Sequence, residues 1–154
     1  MYKITILGLV AVCSIFNITA QEKWEVLEVK KGRLRGVFRY IKDKPKNWDS
    51  APLSTEVSLI WKFQGDMPDK QTKKLMDKLE LALEVLLEKG NTHLPLVMTM
   101  KGHREWCYYT KSYPDFMKDL NKAVKGHSNY PIKIVQSHDP KWEYWHSFVD
   151  KIKR

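Results

Sequence analysis

Residues 94–110 read LPLVMTMKGHREWCYYT, and how this stretch is parsed decides the fold. LPLVMTM (94–100) and HREWCYYT (103–110) are two strand-like runs separated by Lys101-Gly102, which predicts a hairpin. Upstream, DKQTKKLMDKLELALEVLLEKG (69–90) brings apolar residues back at helical intervals. It predicts a long helix with Leu75, Leu79, Ala82 and Leu86 as its inner stripe. Lys89-Gly90 is a helix stop, a cation in the last turn followed by a glycine. Before that helix, TEVSLIWKF (55–63) puts Val57, Leu59, Trp61 and Phe63 on one side of a strand.

Downstream, Ser112 opens an S-Y-P-D capping pattern with Pro114 in the first turn. The helix PDFMKDLNKAVKG (114–126) carries Phe116, Leu120 and Ala123 inward, with Val124 beside them, and stops at Gly126. PIKIVQS (131–137) is another strand. From residue 55 the order is therefore βαββαβ. That order predicts an α+β, ferredoxin-like plait: an antiparallel sheet with both helices on one face and 55–63 and 103–110 as central strands.

Two further pieces flank the plait. WEVLEVK (24–30) and RLRGVFRYI (33–41) form a predicted N-terminal β-hairpin around Lys31-Gly32, and the loop KDKPKNWDSAPLS is broken by Pro45 and Pro52. At the other end Asp139-Pro140 caps an aromatic-rich C-terminal helix, with Trp142, Trp145, Val149 and Ile152 on one stripe. The hairpin is placed to extend the sheet, and the last helix to cover an end or a face of it.

The first 20 residues, MYKITILGLVAVCSIFNITA, combine Lys3, an apolar run from Ile4 to Ile18 and the small pair Thr19-Ala20. This is the layout of a secretory signal, too short in its apolar run for a membrane span. Val12 stands where a small residue precedes a lipidated cysteine, so Cys13 does not mark a lipoprotein. The expectation is an exported protein, periplasmic or secreted, with a signal peptide at 1–20 and one domain at 21–154. Within that domain 21–54 is hairpin and loop, 55–138 the plait and 139–154 the final helix. Such a domain buries about two-thirds of its unfolded surface. Only Cys107 then remains, so no intrachain disulfide is available and the core must supply stability. A lone cysteine in a strand reads as a small buried hydrophobe.

The processed chain keeps 26 of the 27 basic residues against 18 acidic ones, a net charge of +8. Most of the excess sits in KKGRLRGVFRYIKDKPK (30–46), with eight Lys or Arg and one Asp. Alternation places Arg33, Arg35 and Arg39 on one strand face and Leu34, Phe38 and Tyr40 on the other. A basic stripe facing water is either a solvated, protected edge or a contact surface for an anionic partner. In the strand 103–110, assigning the free cysteine inward puts Cys107 and Tyr109 toward the two crossover helices. Arg104, Trp106 and Tyr108 then lie on the opposite face, as packing for a terminal segment or as a ligand platform.

Catalytic patterns are sparse. The histidines at 93, 103, 127, 138 and 146 include no i, i+4 helical pair and no HxH, and no CxxC accompanies them, so no metal ligand is assigned. There is no glycine-rich phosphate loop, and no cofactor is assigned. Mid-strand burial makes Cys107 inert. Glu80 and Glu84 read as a solvated helix face. An enzyme reading would place a hydrolase-like site around His103, Arg104, His138 and Asp139 at strand ends, although Asp139 has an ordinary role as a cap.

On the stretches EVSLIWKF, GHREWCYYTKS and HDPKWEYWHSF the chain resembles the bacterial family known as domain of unknown function 695 (DUF695). The last stretch, an acidic-Pro turn followed by Trp and an aromatic pair, is also similar to the close of the RraB-type protein inhibitors of ribonuclease E. These resemblances imply a ferredoxin-like fold and a non-enzymatic leaning, and they supply no catalytic residue. A ribonuclease E role needs the cytoplasm, which the leader argues against. The expectation is a non-catalytic binding module using Arg33, Arg35 and Arg39, with Arg104, Trp106 and Tyr108, to hold an anionic envelope component or an acidic protein. A basic nucleic-acid-binding plait would follow only if the leader were misread.

Overall fold

The computed structural model describes residues 23–32, 34–45 and 52–152. The expected signal segment at 1–20, Arg33 and Trp48 lie outside them. Six strands form one antiparallel sheet in the order β1-β2-β4-β5-β3-β6, and with three helices the fold is α+β. The elements are β1 (Trp24–Lys31), β2 (Leu34–Ile41), β3 (Thr55–Lys62), α1 (Lys70–Leu83), β4 (Thr92–Met100), β5 (His103–Thr110), α2 (Tyr113–Ala123), β6 (Ile132–His138) and α3 (Glu143–Ile152). Among the described residues, no helix is long and apolar enough to cross a membrane.

The hairpin at the centre of the sequence argument closes as expected. Lys101 and Gly102 both take positive φ, 49° and 76°, which is the twist-matched geometry of a two-residue β-turn. Gly102 is required on a second count. A Cβ there would stand 3.1 Å from the carbonyl oxygens of Phe63 and Gly65, because the loop after β3 grips the turn. The Phe63 amide donates to the Gly102 carbonyl at 2.7 Å.

The helices behave as capped amphipathic segments. Asp69 accepts from the Thr72 amide at 2.7 Å to start α1, which lowers the Asp69 pKa through that same bond. Ser112 does the same for α2 through the Asp115 amide. The predicted long helix ends sooner than expected: α1 gives way to a 3₁₀ turn, Glu84–Leu87, before Gly90 stops it at φ 67°. Its inner stripe is also rotated. Met76, Leu79, Leu83 and Leu86 are buried, Ala82 is half-buried, and Leu75 is 38% exposed. The sequence offers two overlapping apolar stripes, and the one used turns Asp77 and Glu80 toward the sheet's arginines.

Both faces of the sheet are covered. On one, Val57, Leu59, Trp61, Val97, Trp106 and Tyr108 pack against α1 and α2 through Met76, Leu79, Phe116 and Leu120. On the other, Tyr40, Ile41, Leu96, Cys107 and Tyr109 pack under α3 through Trp142, Trp145 and Val149. The predicted orientation of β5 is thus reversed: Trp106 and Tyr108 face the crossover helices, while Cys107 and Tyr109 face α3. Burying the thiol was the right criterion, but it does not choose between two faces that are both buried.

The seating of α3 explains its unusual sequence. The Trp142 amide closes a turn onto the Asp139 carbonyl at 3.1 Å, with Pro140 inside it and Trp142 at φ 55°. A left-handed non-glycine residue costs about 1–2 kcal/mol. The burial it permits offsets that: the indole stacks on Tyr109 at 4.1 Å and 19°, and its N–H donates to the Leu53 carbonyl at 2.8 Å. Trp145 donates likewise to the Ile41 carbonyl at 3.1 Å, and Phe148 sits between Phe38 and Tyr40. Trp142→Phe, which keeps a ring and strands the Leu53 carbonyl, is expected to cost about 1–3 kcal/mol. Trp142→Ala should cost about 3–5 kcal/mol. Equilibrium urea unfolding of the two variants against the parent measures both.

Candidate functional site

The basic and aromatic residues singled out in the sequence divide between two fates. Four of them meet beneath α1. Arg39 reaches Glu80 with both carboxylate oxygens in range, at 2.6 and 2.7 Å, and the Trp106 indole N–H donates to the same carboxylate at 2.9 Å. Arg104 is buried, donates to Thr99 Oγ1 at 2.8 Å, pairs with Asp77 at 3.4 Å and lies 5.7 Å from the Trp106 ring centroid. Burial lowers the Arg104 pKa, with the Glu80 carboxylate opposing that shift. Tyr108 is buried against Phe116, and burial raises its pKa strongly. Glu80 is therefore the hub of an internal network and not part of a solvated face. Arg104, Trp106 and Tyr108 do not form an open platform.

The other fate is exposure. Arg35 side-chain atoms reach solvent while its amide donates to Asp66 Oδ2 at 2.6 Å. Arg33 lies outside the described residues, so the proposed stripe is represented by an exposed Arg35 and an ion-paired Arg39. Lys30, Lys31, Lys42 and Lys44 on the same hairpin are exposed as well. Tyr40, on the α3 side of the hairpin, has its pKa pushed up to about 12 by burial and by its hydrogen bond to Glu25.

The hydrolase-like constellation does not assemble. His103 pairs with Lys62 and His138 with Thr55, which are opposite ends of β3. Seven residues of strand separate them, about 24 Å. Asp139 is occupied: it accepts from the Glu143 and Tyr144 amides at 2.8 and 3.1 Å as the cap of α3, and from the Tyr109 hydroxyl at 2.7 Å. Arg104 is committed to Thr99 and Asp77.

A second polar cluster escaped the sequence reading. On the α3 side, Glu56, Ser58 and Glu105 come together with Cys107 below and Ser137 and Tyr144 at the rim. Glu56 and Glu105 are 6% and 8% exposed. Ser58 Oγ lies 2.5 Å from an oxygen of each carboxylate. Burial, with the neighbouring Glu105 charge adding to it, raises the Glu56 pKa, while bonds from Ser58, Ser137 and Cys107 oppose the shift. Ser58 Oγ thus bridges the two acids, and Glu56 is the one whose protonated form burial favours. Glu105 also accepts from the Tyr144 hydroxyl at 3.0 Å, which ties the sheet to α3. The signal was legible only in part. Alternation places Glu56 and Ser58 opposite Val57 and Leu59, but nothing in the sequence says that face is buried. The Cys107 thiol is buried beside these acids, as expected of a lone strand cysteine, and burial pushes its pKa well above the ordinary range. Among the described residues, no group of three or more His, Cys, Asp or Glu is arranged to hold a metal ion.

The geometry accounts for the three stretches on which the family resemblance rests: EVSLIWKF is β3, GHREWCYYTKS runs from the turn through β5 to the α2 cap, and HDPKWEYWHSF seats α3. Residues 47–149 match the family described as "Family of unknown function (DUF695)", and the chain belongs to that family. The match starts after β2, so the β1–β2 hairpin lies outside it. Neither a curated protein nor a solved structure matches the chain.

Two outcomes follow for the buried acids. A carboxyl whose pKa is raised on folding binds more protons in the native state, so its stabilising contribution is complete below the ordinary carboxylate range and fades as pH rises through the raised value. Glu56→Gln keeps an acceptor for Ser58 and removes the titration. Its melting temperature should match the parent at about pH 4 and exceed it increasingly toward about pH 8. Thermal scans across that range measure the gap. Glu80→Ala leaves Arg39 and the Trp106 N–H without their acceptor and should cost about 1–3 kcal/mol in urea unfolding.

Proposed function

We propose that this protein is an exported, non-catalytic binding module that holds an anionic envelope component or an acidic protein on its basic N-terminal hairpin. The observation that carries this reading is the split among the cations. Arg39 and Arg104 are ion-paired with Glu80 and Asp77 of α1, whereas Lys30, Lys31 and Arg35 are exposed near the hairpin's turn, outside the family-matched segment. Opposite charge at such a surface speeds and orients encounter with an anionic partner. Export rests on the leader-like first 20 residues. We further read β3–β6 with α1 and α2 as a ferredoxin-like plait. The strand order β6-β3-β5-β4 and the packing of both crossover helices on one face support that reading.

The test is capture of envelope material by the purified protein, with Lys30→Glu and Arg35→Glu combined. These residues oppose each other across the hairpin, and neither side chain is buried. Capture should fall by about tenfold or more, equivalent to about 1.4 kcal/mol, with the melting temperature unchanged. It should also weaken as salt rises. Capture that ignores both the double variant and salt would mean the hairpin's cations are only solvated.

A further inference from the structure

The register of the sheet gathers cations from most of its strands at one end. Met100, His103 and Lys62 lie at one level across β4, β5 and β3. Gly36 of β2 shares that level through Met100, and Arg35 opposite Lys30 stands one residue beyond it. Lys101 occupies the β4–β5 turn, Lys31 ends β1, and Lys133 of β6 sits opposite Ile60, two residues short of Lys62. The side chains of Lys30, Lys31, Arg35, Lys62, Lys101 and Lys133 are all exposed. Neighbouring strands are about 4.8 Å apart, so the row spans about 24 Å across six strands. The carboxylates near it are engaged locally: Asp66 accepts from the Arg35 amide and Asp69 caps α1. Charges toward the opposite end are mixed and partly paired, as in Lys42–Glu25 and Lys89–Asp119.

We propose that this row is a docking line for a linear carboxylated polysaccharide laid across the strand ends. The inference rests on the binding-module reading and extends it beyond the hairpin to β3, the β4–β5 turn and β6. A chain bearing one carboxylate per sugar offers charges at intervals comparable with the strand spacing. Five of the six cations are lysines, which act as point charges; a site built to read phosphate would favour the bidentate fork of arginine. Trp61, next to Lys62, is buried against Tyr130 and gives no surface on which a nucleic-acid base could stack.

The test uses the purified protein and oligogalacturonate, with binding followed by titration calorimetry. The parent should bind with an affinity that falls as salt rises. Lys62→Glu, Lys101→Glu and Lys133→Glu combined, all outside the hairpin, should lower affinity by about tenfold or more. Lys111→Glu with Lys141→Glu, exposed at the opposite end of the sheet, should leave it unchanged. The neutral triple variant Lys62→Gln, Lys101→Gln, Lys133→Gln should show a smaller loss and guards against misfolding of the charge-reversed form. If the Lys30→Glu, Arg35→Glu variant loses binding while both triple variants keep it, the docking line is wrong and the hairpin alone is the site. Equal binding of a neutral galactan overturns the proposal. So does binding of anionic vesicles or a single-stranded oligonucleotide in preference to oligogalacturonate.

Discussion

β5 is buried on both faces along nearly its whole length, from Arg104 to Thr110, and sits between β4 and β3 with no free edge. An antiparallel sheet ordinarily leaves one face to water. Here the face carrying Cys107 and Tyr109 cannot be left open, because it presents aromatic and thiol groups as well as two carboxyl groups. The chain answers with α3. Its docking is specific, since two indole N–H groups reach backbone carbonyls at Leu53 and Ile41 and the Tyr109 hydroxyl reaches the Asp139 cap. Each buried donor thereby finds an acceptor, and the layer is held by direction as well as by area.

The two polar centres solve the same problem differently. Under α1, the Glu80 charge is kept and matched by Arg39 and an indole N–H. Under α3 the Ser58 hydroxyl bridges Glu56 and Glu105, and burial together with the neighbouring Glu105 charge raises the Glu56 pKa. Two carboxylates at such burial repel each other and lose solvation together, which favours the protonated form of Glu56. Both centres are inward-looking. The exposed charge among the described residues at this end of the sheet lies instead in groups such as Lys30, Arg35, Lys62 and Lys101.

Much of the architecture was legible in the sequence because its signals are local. Strand bounds followed from alternation, and the stops at Gly90 and Gly126 and the caps at Ser112 and Asp139 followed from residue type. What misled was the inference from one buried group to a whole face. Cys107 had to be inside, but so did Trp106, and a strand with two interiors gives alternation no preferred direction. The rotation of α1 had a related cause: Leu75 and Met76 compete for the same place, and the choice is made by Arg39 and Arg104 on strands distant in sequence. Glu56 was invisible for the same reason, since a carboxyl opposite Val57 looks solvated until α3 is laid over it. His103 and His138 were near each other only in being strand ends.

The hairpin that precedes the family-matched segment also contributes to the interior. Phe38 and Tyr40 hold Phe148 between them, and Ile41 supplies the carbonyl that receives Trp145. The layer beneath α3 is therefore made partly from residues outside the family-matched segment. Removing the hairpin from this chain would strip the underside of α3 of Phe38, Tyr40 and Ile41. Kinship and structural self-sufficiency thus have different boundaries in this molecule: the part by which it is recognised begins at residue 47, and the part that finishes its interior begins at the first strand.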